Sequence, residues 1–242
     1  MMATQQLPAT AVDADRLALA RVSALPLHVF RDEHLATQLR RALAAEHVAD
    51  LRALTSRIAA DPAARARFRR SIAVSVSGPF RDPQQFTLLE RELLPPLLEQ
   101  SGRVRVWSAG CADGSELVSL GRVLRKLGAL DRAQLLGSDL LEENLVRARR
   151  ADLDVPPEIR MRLRWEQRDL VTAPPPPGSW RLVLCRNVAI YFTPAARTQL
   201  EHTLASALAP GGVLLLGRSE RLRDPAALGL VPAGPNAYRR TT

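Results

Sequence analysis

The stretch "RVRVWSAGCADGSELVSLGRVLRKLG", Arg103–Gly128, decides the fold. Its opening, "RVRVWSA", has the short apolar character of a strand. Its close, "SELVSLGRVLRKLG", has the spacing of a helix ended by Gly128. Between them Gly110 and Gly114 frame a turn of small residues. Glycine lets a backbone approach a ligand where a side chain would clash. The spacing falls short of a full G-x-G-x-x-G, so the turn alone fits either a nucleotide-type cradle or a tight strand-to-helix connection.

The same alternation continues downstream. "AQLLGSDL" predicts a second strand and "LEENLVRARR" a helix; "MRLRWEQRDL" predicts a third strand ending near Asp169. "WRLVLCRN" is a fourth, "TPAARTQLEHTLASALAPGG" a long helix and turn, "VLLLGRSE" a further strand, and "NAYRR" a candidate last one. Alternating elements argue for an open, largely parallel sheet with helices on both faces. Such sheets bind ligands at the carboxyl ends of their strands. Four of those ends carry suggestive groups. The glycine turn follows the first strand. Asp139 follows the second, where an acidic residue would meet ribose hydroxyls or merely cap a helix. Asp169 follows the third, as an acceptor for an adenine amino group or a plain surface aspartate. Arg186 and Asn187 follow the fourth, and polar residues ending a buried strand need partners.

Upstream, residues to about Phe68 read as helical. Leu35, Leu39, Leu43 and Val48 share one periodicity, Leu51, Leu54 and Ile58 another, and Asp61-Pro62 starts a short helix. Ile72, Val74 and Val76 alternate with small residues, which predicts a short extended segment. "PQQFTLLERELLPPLLEQ" reads as a helix stopped at Pro95-Pro96. The expected organisation is a small all-helical domain over 1–74 followed by an α/β domain over 75–242.

Composition narrows the function. The chain has 242 residues, 46% of them hydrophobic, enough for a sizeable core. No long uncharged apolar run predicts a membrane span, and the N-terminus lacks a signal-peptide pattern. Two cysteines without metal-type spacing suit a reduced, cytoplasmic setting. None of His28, His34, His47 and His202 stands in a metal or catalytic pattern, so no metal is expected. The net charge is +9, carried almost wholly by arginine since Lys126 is the only lysine, and it favours acidic partners. Aromatic residues make up only 4% and do not interleave with the arginines, which argues against a single-strand nucleic-acid platform.

Four blocks together carry a family resemblance. They are "SGPFRD" (Ser77–Asp82), "WSAGCADGSELVS" (Trp107–Ser119), "CRNVAIYF" (Cys185–Phe192) and "PGGVLLLGRSE" (Pro210–Glu220). In order and spacing they resemble the CheR-type chemotaxis protein-glutamate O-methyltransferases, over most of residues 28–240. The resemblance implies a class I methyltransferase-like, Rossmann-like sheet, S-adenosylmethionine as cofactor and S-adenosylhomocysteine as product. It implies that Arg81 pairs with the cofactor's carboxylate and that Tyr191 lies near the transferred methyl, which makes these two the candidate catalytic residues. Ser77, Gly110, Ser115, Asp139, Asp169, Leu170, Asn187 and Val188 would line the cofactor with Arg81. Arg40 and Arg41, off the leucine stripe of their helix, would meet an acidic chemoreceptor or another acidic protein substrate, or simply form a solvated helix face.

Three departures accompany the resemblance. Ser115 replaces the first of two adjacent carboxylates. Pro79 replaces a phenylalanine. The stretch between the Asp139 helix and Asp169 leaves no room for the small β-subdomain with which some members hold a receptor tail, so no such tether is expected. The implied activity is methyl transfer to glutamate carboxylates in chemotaxis signalling; the alternative is a weakly active or non-catalytic S-adenosylmethionine sensor or scaffold. A nucleic-acid methyltransferase is disfavoured by the absence of an N/D-P-P-Y/F motif.

Overall fold

The computed structural model describes residues 9–73, 78–100, 102–151 and 154–241. The chain divides into two compact units, Met1–Val74 and Ser75–Thr242.

The first unit is helical, with α1 (Ala9–Ser23), α2 (Asp32–Ala45), α3 (Leu51–Ala60) and α4 (Pro62–Ile72). Leu35, Leu39 and Ala42 of α2, Leu54 and Ile58 of α3, and Phe68 of α4 are buried. Their spacing gives each helix one apolar stripe. Asp61 caps α4 as its sequence suggests, accepting from the Ala63 N–H at 2.8 Å, with Pro62 in the first turn. Ile72 departs from the expected extended segment. It is the last residue of α4 and fully buried, because the apolar period Phe68–Ile72 continues the helical stripe. Val74, Val76 and Ser77 lie outside the described residues.

The second unit contains a seven-stranded sheet in the order β3-β2-β1-β4-β5-β7-β6. Its strands are β1 (Val104–Ala109), β2 (Ala133–Asp139), β3 (Leu163–Gln167), β4 (Trp180–Cys185), β5 (Leu208–Leu216), β6 (Leu230–Gly234) and β7 (Ala237–Arg240). Strands β1 to β5 pair in parallel, while β7 runs antiparallel to both β5 and β6. This is a mostly parallel, Rossmann-like sheet. The chain reverses between β1 and β4, the crevice where such sheets bind ligands. β6 was not legible in the sequence: "LVPAG" carries proline and glycine, which only an edge strand tolerates.

Alternate strand residues feed two cores. Val104, Val106, Leu182, Leu184, Val213 and Leu215 pack on one face with Leu117, Leu120 and Leu124 of α7 (Ser115–Lys126). Trp107, Val183, Cys185, Leu214 and Leu216 pack on the other with Leu200 and Leu204 of α10 (Pro194–Ala207). The remaining helices are α5 (Pro83–Leu88), α6 (Leu94–Glu99), α8 (Glu142–Ala151) and α9 (Pro157–Arg160).

Pro95-Pro96 does not stop the helix. Leu89–Leu93 widens into a π-turn in which the Leu94 N–H reaches back to the Leu89 carbonyl, and α6 carries on through both prolines. Proline lacks an N–H and collides with the carbonyl four residues back; the wider turn and the fresh helical start remove both conflicts. Between α8 and β3 the described residues of 152–162 hold a 3-10 turn at Asp154 and α9, and no strand.

Candidate active site

The carboxyl edge of the sheet gathers the motif residues into one network within the second unit. Its centre is Arg186, just past β4, with a side chain only 4% exposed. It donates from Nε to Gln85 Oε1 (2.7 Å), and from Nη1 to Glu116 Oε2 (2.7 Å). From Nη2 it donates to the Arg81 carbonyl (2.6 Å) and Asp82 Oδ2 (3.0 Å). Phe86 stacks 5.5 Å from the guanidinium. A buried charge demands such saturation. The effect is to fasten the "PFRD" loop and α5 to the end of β4 and the start of α7. Ser119 adds a further tie, accepting from the Phe80 N–H at 3.0 Å. The Arg81 backbone is thereby held on both sides, which fixes where its side chain starts.

A second anchor holds the "CRNVAIYF" turn. Glu220, 3% exposed, accepts four backbone N–H groups: Asn187 (2.6 Å) and Gly217 (2.9 Å) on Oε2, and Val188 (3.1 Å) and Ala189 (2.8 Å) on Oε1. This fills the carboxylate's acceptor capacity. It also holds Asn187 in the left-handed region at φ +61°. Residues 187–192 are half-buried, in contrast to the buried strand before them.

Of the two readings open to the glycine turn, the tight connection accounts for both glycines through packing. A Cβ on Gly110 (φ +79°) would fall 2.5 Å from Val188 Cγ2, and one on Gly114 (φ +81°) would fall 2.4 Å from the Trp165 ring. Both glycines are required by the protein's own packing. Asp139 closes the turn from the β2 side. Its Oδ2 accepts from the Ala112 N–H (2.9 Å), and its Oδ1 from the Leu141 N–H and Asn144 Nδ2 (both 2.9 Å). Burial pushes its carboxyl above the usual range, against the pull of those donors. Asp169 Oδ1 accepts from the Val171 N–H at 2.9 Å and the Thr172 N–H at 3.4 Å, while Oδ2 has no partner among the described residues. Leu170 beside it is 7% exposed.

At the start of α7, Asp113 Oδ1 accepts from the Ser115 N–H at 3.1 Å. Glu116 is fully engaged, with Ser108 Oγ on Oε1 (2.8 Å) and Arg186 on Oε2. Position 115 therefore offers a hydroxyl, and its neighbouring carboxylate belongs to Arg186. Cys111 and Cys185 are buried, and loss of solvation pushes both thiols well above their ordinary value, so neither serves as a nucleophile. Among the described residues no group of three or more His, Cys, Asp or Glu is placed to hold a metal.

The structure thus brings Arg81, Gly110, Ser115, Asp139, Asp169, Leu170, Asn187, Val188 and Tyr191 to the carboxyl edge or the loops that leave it. Ser77 lies outside the described residues. Arg40 and Arg41 are exposed on α2 of the other unit. Sequence reasoning missed Gln85, Asp82, Glu116 and Glu220 as partners. The signal was available in Arg186, a cation ending a buried strand that had to find carboxylates in the other blocks.

The donor set suits S-adenosylmethionine. Asp139 keeps one unused acceptor direction on Oδ2 for a hydroxyl, Asp169 Oδ2 can accept from an amino group, Arg81 supplies a cation, and the half-buried Val188 beside Gly110 supplies an apolar side chain.

The family described as "CheR methyltransferase, SAM binding domain" matches residues 75–154 and 150–233. A chemotaxis protein methyltransferase of Listeria innocua serovar 6a is 32% identical over 70% of this chain and 74% of that protein. Chemotaxis protein methyltransferase 1 of Pseudomonas aeruginosa is 29% identical over 66% and 72%. Among solved structures, the glycopeptide N-methyltransferase MtfA with S-adenosylmethionine superposes with a TM-score of 0.43 at 20% identity, over 58% of this chain and 50% of that one. On the family match and the motif network together, the chain belongs to the CheR methyltransferase family, with S-adenosylmethionine as its cofactor.

Proposed function

We propose that the protein esterifies glutamate side chains of an acidic, chemoreceptor-like protein in chemotaxis signalling. The observation that supports this is the pair of buried anchors, Arg186 and Glu220, which hold the backbone at Arg81 and at Asn187 beside strand ends where the described residues offer no histidine and only buried thiols. A glutamate carboxylate, with a reference pKa of about 4.3, is already ionised at neutral pH and needs no base. S-adenosylmethionine supplies, when bound, a methyl group already activated on a sulfonium.

The protein's task is then alignment and exclusion of water. Arg81 would pair with the cofactor's carboxylate, Asp139 with ribose and Asp169 with adenine. Ser115, Gly110, Leu170 and Val188 would border the cofactor, and Tyr191 would stand over the reacting methyl. Arg40 and Arg41 on the helical unit would attract the acidic acceptor, with binding that weakens as salt rises. The short α8–β3 connection favours an acceptor that is not held by its tail, in the cytoplasm. Incubation with labelled cofactor and receptor cytoplasmic fragments should give a base-labile methyl ester; cofactor binding without transfer to any protein would sink the proposal.

One observation favours a second reading, a cofactor-binding sensor of low activity: Ser115 stands where a carboxylate is expected, and Glu116 is consumed by Arg186 and Ser108. Binding of S-adenosylmethionine by calorimetry without turnover would select it. On either reading Ser115→Glu should tighten cofactor binding.

A further inference from the structure

A cavity of about 310 Å³ opens at the same edge of the sheet, between α5 and the β6–β7 turn. Its position follows from topology. β7 runs antiparallel to β5, so the turn carrying Pro235 and Asn236 lies where β5 ends, and Arg218 follows that end directly. Gln84 and Leu88 of α5 and Glu92 of the π-turn complete the wall.

Two lining residues belong to the framework already described. Gln85 accepts from Arg186 and donates Nε2 to the Leu216 carbonyl at 2.7 Å. Asn236 Nδ2 donates to the Glu220 carbonyl at 2.6 Å and to the Arg218 carbonyl at 3.3 Å. These bonds join the cavity wall to Arg186 and, through Glu220, to the turn that begins at Asn187. Its charged groups are uncommitted: the Arg218 guanidinium is exposed and forms no hydrogen bond or ion pair with a described residue, and the same holds for the exposed Glu92 carboxylate.

We infer that this cavity is a specificity subsite of the acceptor protein, in which Arg218 takes an acidic side chain flanking the glutamate to be methylated. The inference rests on the carboxylate-acceptor reading above. A volume near 310 Å³ holds one or two side chains rather than a cofactor. An unpaired arginine beside amides suits a carboxylate, which it grips through paired N–H donors. Leu88 and Pro235 supply apolar contact for the acidic residue's methylene groups. Glu92 sets the polarity, so an acidic group belongs at the Arg218 end.

The direct test is calorimetric titration of the S-adenosylhomocysteine complex with a synthetic helical peptide bearing several glutamates, against its all-glutamine counterpart. The glutamate peptide should bind more tightly, and Arg218→Ala should weaken it about tenfold, the loss of one good charge-assisted contact. Arg218→Glu should weaken it further, and Arg218→Lys should retain most of the affinity. With a receptor fragment as acceptor, Arg218→Ala should raise KM by a similar factor while kcat and cofactor affinity stay within about twofold. Peptide affinity unchanged in Arg218→Ala, or an equal loss of cofactor affinity, overturns the subsite. Absence of methyl transfer by the unmodified protein counts against the functional reading alone, since the peptide titration still decides the role of Arg218.

Discussion

The two edges of the sheet solve opposite problems. At the carboxyl edge, strands run into helix N-termini and turns that leave backbone N–H groups without partners. There the protein places carboxylates: Glu220 gathers four N–H groups, Asp139 two and Asp169 two. At the amino edge, helices end and leave carbonyls unpaired. There it places arginines: Arg132 donates to the carbonyls of Leu98, Gln100 and Gly102, Arg181 to Leu97 and Gln100, and Arg240 to Ala205, Ser206 and Leu208. Each choice also suits the helix dipole at that end. The lesson concerns the +9 charge. Many of its arginines are structural donors on the edge away from the crevice, so net charge alone overstates what remains for partners.

Arg186 runs against this division, an arginine held among carboxylates at the carboxyl edge, and removing it should break the contrast most severely. Arg186→Met leaves Asp82 and Glu116 without their cation and should cost about 3–5 kcal/mol in urea unfolding, with loss of methyl transfer. Next is Glu220→Gln, which keeps about half the acceptor capacity. It should cost about 1–3 kcal/mol and lower cofactor affinity, because the Asn187–Ala189 turn loosens.

At the amino edge, Arg132→Ala should cost about 1 kcal/mol and leave cofactor affinity unchanged by calorimetry. A loss of affinity as large as that of Glu220→Gln would erase the functional distinction between the edges.

The smallest effect on stability is expected at Asp139, whose burial already opposes its charge. Asp139→Asn should change stability at neutral pH by less than about 1 kcal/mol while weakening cofactor binding. Its pH signature sharpens the point. A carboxyl raised above the ordinary aspartate value of 3.8 binds its proton more tightly in the folded state. Its contribution is complete below that value and lost as pH rises through the raised one. The stability of the native protein should therefore fall relative to Asp139→Asn as pH rises above the ordinary aspartate value, read by urea unfolding at a series of pH values.

The sequence by itself determined the alternation of elements, the cap at Asp61 and the four motif blocks, since these depend on local period, turn chemistry and spacing, but β3 stops at Gln167 rather than near Asp169 and β5 begins at Leu208, inside the stretch that reads as helix and turn. It did not reveal that the helix runs on through Pro95-Pro96, because the π-turn that permits this has no strong sequence signal, nor that "LVPAG" is a strand, because edge position is a tertiary property. The candidate crevice was legible as strand ends but not as a network. Only the tertiary structure decided that Gly110 and Gly114 serve Val188 and Trp165, and that Glu116 belongs to Arg186 from 70 positions away while Gln85 reaches Leu216 across 131. Local sequence fixes what a residue needs, a counter-charge or a donor. Which distant residue meets that need depends on how the parallel crossovers bring the strand ends together.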